Sequence, residues 1–483
     1  MRLTALFKDT FFYGTATVIQ RLMSLAVIPL YVSSLSVSEF GFISLFQFFL
    51  GIGMVFFLVG VDQALLREAS GASRTAQKSL FFTALTAAAA AALAVSAVTL
   101  AFRGPVTAAL FRDTAYAGIL PWLLGVTALE CVCHLAGTLL RSRGMARAFA
   151  AAASLKMVFF FACNWFLLTR RGWGVEAFLV SFALSGGLYL AVTAFTWVPA
   201  LTGRFDRAVC GRMVRFGLPL AANVLLTVLL FQSDQYLLER FRGLAAVGVY
   251  AFGYKFGSVL YYLVSSLNNA WFPHLFRIGE TELRESFRRT FMHVQTASFA
   301  AFLGLDFFFR VFYRDILPDR YRDAIPVLSW VGLGYVLFNM GSFIDSLFYQ
   351  RKRPHWIPVI TLTALAVNVG LNLWWIPRYG ITGAAVSTFL SFAAYLGATL
   401  ALARRLNFPV AWSEPLRRLA AFAAVYAVGR AILSMADGTA AGLAVWLSAI
   451  PLLLWVTLRV SREARGEWGR MRGLVAGKLR KRV

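Results

Sequence analysis

Charge is scarce in this chain. Only 14% of its 483 residues are Asp, Glu, Lys or Arg, whereas a soluble globular protein carries about 25%. Acid is scarcer still: 22 carboxylates stand against 47 Lys and Arg, a formal net charge of +25. Cysteine is nearly absent, and Cys131, Cys133, Cys163 and Cys210 are too few and too scattered for a disulfide framework. Cys131 and Cys133 lie two apart inside an apolar run, so on a helix they face different ways, which argues against a shared metal. The four histidines, at 134, 274, 293 and 355, form no cluster with metal-ligand spacing. There is no G-x-x-x-x-G-K-S/T phosphate loop, so the chain has no recognisable ATPase of its own. No connecting loop exceeds about 25 residues. A membrane enzyme that assembles or ligates glycans would ordinarily keep its catalytic groups in a larger one.

Apolar residues are what the chain does have: 59% of the total, with 45 Phe, and a mean hydropathy of +0.69. They come in blocks of about 20 separated by short charged loops, the length a helix needs to cross hydrocarbon roughly 30 Å thick. In that medium every backbone polar group must be satisfied internally, so the blocks are read as helices. We place fourteen spans at 11–33, 40–63, 80–102, 116–140, 148–169, 174–198, 216–238, 246–269, 290–312, 324–349, 355–376, 380–403, 418–436 and 440–458. The opening MRLTALFKDT is basic, but the apolar run behind it is full length and lacks a small-residue cleavage pattern, so a retained first span is expected.

The basic residues follow the loops instead of forming one patch, which argues against a nucleic-acid surface. Of the 47, 31 fall on the side of the two termini, 10 on the opposite side and six within spans. This asymmetry places both termini in the cytoplasm. The tail RVSREARGEWGRMRGLVAGKLRKRV carries nine of the 31 and reads as a solvated anchor touching anionic lipid.

The sequence is written twice. LSVSEFGFISLFQFF follows span 1 and RGLAAVGVYAFGYKF follows span 7, aligning Gly41 with Gly248 at an offset of 207. RRGWGVEAFLVSF opens span 6 and PRYGITGAAVSTF opens span 12, aligning Gly174 with Gly380 at an offset of 206. Six spans separate the copies, so the halves run parallel, related by an axis along the membrane normal. The expected fold is an all-α polytopic membrane protein. Two six-helix lobes (1–203 and 204–410) would be followed by two extra helices (411–460) and the basic tail (461–483). Such repeats generally hold substrate where they meet.

Ionisable groups inside spans are the functional candidates. Arg21 lies ten residues into span 1 beside Gln20, Lys156 eight into span 5, and Lys255 nine into span 8 next to Tyr254. None has an acidic neighbour three or four residues away. Their shared sign suits a cavity that receives an anion, and the planar fork of arginine suits phosphate. The other reading is that each pairs across helices with Asp62, Glu130, Asp234 or Asp345. Asp62 and Arg67 near one end of span 2, and Asp234 near the far end of span 7, could line either mouth. Asp306 and Arg310 have helical ion-pair spacing. Glu130 and His134 share it, which favours a local hydrogen bond over a proton relay, though a relay stays open. Arg430 lies within two turns of a span end and is expected to snorkel. The stretch holding Tyr254, Tyr261, Tyr262, Asn268, Asn269 and Trp271 reads either as an interfacial aromatic belt or as a sugar-contacting lining.

LFKDTFFYGTATVIQRLMSLAVIPLYVSSLSVSEFGFISLFQFF, then GVDQALLRE, and in the second half QSDQYLLERFRGLAAVGVYAFGYKFGSVL, resemble polysaccharide/O-antigen (Wzx-type) flippases. These belong to the multidrug/oligosaccharidyl-lipid/polysaccharide exporter superfamily. The resemblance covers most of the chain. It implies a MATE-like fold in the bacterial inner membrane and alternating access. The substrate it implies is a polyprenyl-diphosphate-linked oligosaccharide bound for O-antigen or lipopolysaccharide synthesis, with polysaccharide polymerase or ligase machinery as partners. No organic cofactor is implied. A coupling ion, Na+ or H+, is, with Asp62, Glu130, Asp234 and Asp345 as candidates for it. Substrate candidates are Arg21, Lys156, Lys255, Gln20, Arg67 and Tyr254. Lipid II flippases and drug/cation antiporters of the same superfamily are the alternatives. The antiporter would need an acidic cavity, whereas the mid-span charges here are basic.

Overall fold

The computed structural model describes residues 23–112, 118–276, 278–316, 318–408 and 413–435, with 448, 451 and 452. Gln20, Arg21, the basic tail and all of span 14 but those last three residues lie outside the described residues. The described residues are helical and contain no strand. The helices are α1 (Met23–Ser34), α2 (Val37–Leu58), α3 (Val61–Ala69), α4 (Arg74–Ala101), α5 (Arg103–Leu110), α6 (Leu120–Ser142), α7 (Ala146–Arg170), α8 (Val175–Trp197), α9 (Arg207–Arg242), α10 (Leu244–Gly257), α11 (Val259–Leu275), α12 (Glu280–Ile316), α13 (Ala324–Gln350), α14 (Trp356–Arg405) and α15 (Ser413–Met435). Among the described residues, nine helical stretches are long and apolar enough to cross a membrane. The chain is a multi-pass membrane protein.

Helix starts are written locally. Ser36 caps α2, accepting from the Glu39 amide at 3.2 Å, while the Glu39 carboxylate accepts from the Ser36 amide at 2.8 Å. Ser73 and Asp206 cap α4 and α9 by the side-chain half of this arrangement alone, accepting from the Ala76 and Val209 amides. Interruptions within spans are also local. Span 2 divides into α2 and α3 at Val59 and Gly60, both at positive φ. Gly60 sits there for a second reason: a Cβ on it would meet the Gly217 carbonyl oxygen at 2.2 Å. Span 8 divides at Ser258 into α10 and α11. Spans 11 and 12 run together as α14, broken at Gly380 (φ 56°, ψ −132°) three residues after Pro377. The short α5 between spans 3 and 4 carries two consecutive breakers, Gly104 and Pro105, and the periodicity of the spans does not predict it.

The chain forms two compact units. One comprises Met1–Ala251 and Asn368–Ala384, the other Phe252–Val367 and Ala385–Val483. In the first, α2, α3, α4, α6, α8 and α9 pack around a core that includes Phe57, Leu65, Phe81, Leu135, Leu139 and Met213. Phe178 of α8 sets its ring edge-on to Phe46 of α2 and Phe160 of α7. In the second, α13 packs against α11 and α12, and α15 against α12. Phe299 and Phe422 stack there with ring centroids 4.2 Å apart.

Candidate functional site

The first unit holds the densest grouping of the sequence candidates. It is built on α6, whose Glu130 and His134 are one turn apart. Their side chains turn to different neighbours, which corrects the expected local bond between them. His134 Nε2 lies 3.1 Å from Asp62 Oδ2 on α3, and the same oxygen accepts from Gln63 Nε2 at 2.8 Å. The Glu130 carboxylate accepts from the Lys156 ammonium on α7. Lys156 thus takes the cross-helix partner that one of the two sequence readings allowed. Its ammonium also lies 5.6 Å from the Phe182 ring centre and 5.7 Å from that of Tyr189, both on α8, within cation–π range. Four helices therefore contribute to one polar cluster in otherwise apolar surroundings. Neither partner is sealed: the side chains of Lys156 and Glu130 are 19% and 14% exposed.

The other candidates are placed separately. Arg67 is exposed on α3, its guanidinium 4.5 Å from the Phe216 ring centre. Asp234 is buried on α9, where its carboxylate accepts from the Tyr250 hydroxyl and from the Gln235 amide at 2.8 Å. A polar ladder continues beside it. Ser44 donates to Gln235 Oε1 at 2.8 Å, Ser233 to Asn368 Oδ1 at 3.4 Å, and Asn372 to Asn368 Oδ1 at 2.9 Å. In the second unit, Lys255 is half-buried on α10, and the Tyr254 and Tyr335 hydroxyls are 2.7 Å apart. Asp345 is buried on α13. Its Oδ2 accepts from Tyr395, while Oδ1 has no hydrogen-bond partner among the described residues. Asp306 and Arg310 make the expected ion pair at 2.9 Å. Outside the spans, burial first and the Arg74 charge second lower the pKa of Arg143. Its guanidinium ties Gln77 Oε1 to the Thr196 carbonyl at 3.2 and 3.0 Å.

Sequence reasoning missed the neutral partners. Tyr31 of α1 donates to Asn164 of α7 at 3.0 Å, and Asn164 is fully buried. A lone amide in a membrane run was the available signal, because a neutral polar group in hydrocarbon also needs a partner. Among the described residues no group of His, Cys, Asp and Glu could hold a metal.

Apolar helices long enough to cross a membrane, with ion pairs inside them, define a multi-pass membrane protein that keeps charge within its spans. The chain belongs to the polysaccharide biosynthesis protein family, whose profile matches residues 6–279. No curated protein is a significant match to it. Among solved structures, it is similar to the lipid II flippase MurJ in an inward closed conformation. That match has a TM-score of 0.71 at 13% identity and spans 95% of this chain and 98% of that one. It is also similar to an inward-facing multidrug resistance MATE transporter of the MOP superfamily, with TM-score 0.67 at 15% identity over 82% and 95% of the two chains. A Vibrio cholerae MATE transporter matches with TM-score 0.56 at 14% identity over 83% and 97%. At these identities the likeness is one of fold.

Proposed function

We propose that the protein is a flippase that moves a polyprenyl-diphosphate-linked oligosaccharide from the cytoplasmic to the outer leaflet of a bacterial inner membrane. It would do so by ion-coupled alternating access of two parallel six-helix lobes, with both termini in the cytoplasm. The observation that carries this reading is Lys156. It is a cation in the middle of a membrane helix, partly exposed and flanked by aromatic rings. A charge there costs roughly 3 kcal/mol on insertion scales and marks a functional group by default. An anionic head group that must cross the bilayer gives the cation a use, and membership of a polysaccharide biosynthesis family supplies the class of cargo. The remaining substrate candidates are Arg21, Gln20 and Arg67, and separately Lys255 and Tyr254. Asp62, Glu130, Asp234 and Asp345 are candidates for coupling to Na+ or H+.

A second reading, lipid II as cargo, is favoured by the fold match to MurJ over nearly the full length of both chains. Lipid II also carries a polyprenyl diphosphate, so Lys156 serves either cargo. The test is flipping in proteoliposomes. A labelled polyprenyl-diphosphate oligosaccharide and labelled lipid II are loaded in parallel, and their accessibility is followed over time. Movement of the oligosaccharide, lost in Lys156→Gln, supports the proposal. Movement of lipid II alone transfers the assignment to cell-wall synthesis. Movement of neither, with transport of a cationic drug, overturns it.

A further inference from the structure

Two of the ion pairs among the described residues are of very different construction. In the Asp306–Arg310 pair every part is held by more than one bond. Asp306 is fully buried; its Oδ2 accepts from Arg310 and from Tyr426 at 3.2 Å, its Oδ1 accepts from Ser329, and Arg310 also reaches Ser329. This is a structural pair, because removing it would strand several buried groups at once. The Glu130–Lys156 pair has no such support. Among the described residues, Lys156 is the sole hydrogen-bond partner of Glu130, and both ends are partly exposed. The ammonium is steadied by the faces of Phe182 and Tyr189, which neither accept its remaining protons nor depend on Glu130.

From this contrast we infer that Glu130 is a resident stand-in anion: it occupies Lys156 in the resting chain, and a phosphate oxygen of the cargo displaces it. The inference rests on the reading above, that the cargo is anionic, and adds how the site holds its charge when empty. An ammonium in hydrocarbon without an anion is costly, so a carboxylate that neutralises it between cargoes removes that cost. The same carboxylate competes with the cargo, which keeps affinity low enough for release. The two aromatic faces keep the ammonium in place while its anion is exchanged. Glu130 is therefore a positioning residue that tunes affinity, and Lys156 is the contact.

The test is binding of farnesyl diphosphate, and separately of inorganic diphosphate, to the full chain in nanodiscs by calorimetry. Glu130→Gln removes the competing charge and is expected to tighten farnesyl diphosphate binding about tenfold, the scale of one charge-assisted hydrogen bond. Glu130→Asp, which keeps the charge on a shorter arm, is expected to tighten it by less, and guards against misfolding of the first variant. Lys156→Gln and the double variant are both expected to bind weakly and equally. A purely structural pair predicts the opposite, with Glu130→Gln binding unchanged or weaker. That result, with wild-type binding intact, overturns the inference and leaves the flippase reading standing. If neither diphosphate binds wild type or Glu130→Gln, both fall. If inorganic diphosphate binds as tightly as the farnesyl compound, displacement is supported with a free phosphate as ligand.

Discussion

Gly41 and Gly248 are reciprocal contacts. A methyl added to Gly41 would lie 2.1 Å from the Leu244 carbonyl oxygen, and one added to Gly248 would lie 2.0 Å from that of Val37. The two glycines are aligned by the internal repeat, and so are the carbonyls they touch, since 37 + 207 = 244. Each residue therefore meets the counterpart of its own neighbour, as an internal two-fold relation requires. The helices α2 and α10 approach here until backbone meets backbone, and no side chain fits.

This geometry predicts a sharp asymmetry among glycine substitutions. Gly41→Ala and Gly248→Ala should each cost about 1–3 kcal/mol, the range for overpacking a close contact. The double variant should lose less than the sum, because the first methyl already forces the helices apart. Gly187→Ala and Gly211→Ala, with no atoms within 4 Å of the added methyl, should be neutral or stabilising, since alanine is favoured over glycine in a helix by about 1 kcal/mol. Thermal unfolding of the four single variants in one detergent decides it. Equal melting temperatures would mean that α2 and α10 are not in contact.

Arg242 lies at the end of α9 and completes a broken helix elsewhere in the first unit. Where α14 departs from helical geometry at Gly380, the carbonyls just before the break lose their partners. Arg242 supplies them, with Nε 3.3 Å from the Ile376 oxygen and a terminal nitrogen 2.7 Å from that of Pro377. Arg242→Ala should lower stability by about 1–2 kcal/mol, as two partly exposed charge-assisted bonds are lost. Arg242→Lys should recover only part of this, because a point charge cannot fork to two carbonyls. Hydrogen exchange at residues 376–384 gives the local readout: faster exchange in the alanine variant alone marks Arg242 as the cap of that break.

What could be read from the sequence was local, and what could not was the choice of partner. The spans followed from runs of apolar residues, and the Asp306–Arg310 pair from its spacing of four. The same spacing misled for Glu130 and His134, whose partners Lys156 and Asp62 come from other helices. Spacing shows which groups can meet along one helix; it does not show what a neighbouring helix offers at a better distance. The break at Gly60 was hidden for the same reason, since the glycine answers to the Gly217 backbone as much as to its own turn. Tyr250 and Tyr395 carry no charge and are only mildly polar, so hydropathy alone passes over them.

The Glu130–Lys156 pair should behave as a unit in stability as well as in binding. Lys156→Leu leaves a lone carboxylate in apolar surroundings and should cost about 2–3 kcal/mol, since stranding one partner is worse than losing both. Lys156→Leu combined with Glu130→Leu should recover most of that loss while abolishing transport. A complete double-mutant cycle by thermal unfolding measures the coupling, and a value near zero would show that the two charges do not meet.

Asp345 poses the opposite case, a buried carboxylate with no cation paired to it among the described residues. Its Oδ2 accepts from the Tyr395 hydroxyl and its Oδ1 has no hydrogen-bond partner there. A charge held in that way is expensive, and the neutral amide of similar shape removes the cost. Asp345→Asn should therefore unfold no more easily than wild type, whereas Tyr395→Phe should lose about 1 kcal/mol with the hydrogen bond. If Asp345 also binds the coupling ion, the amide variant should still flip cargo down a concentration gradient but ignore an imposed Na+ or H+ gradient, and the Tyr395 variant should keep its response. Measuring both variants in proteoliposomes with and without the gradient separates a coupling role from a structural one. An Asp345→Asn chain that melts well below wild type would place an anion-stabilising contact at Oδ1 and remove the argument for coupling there.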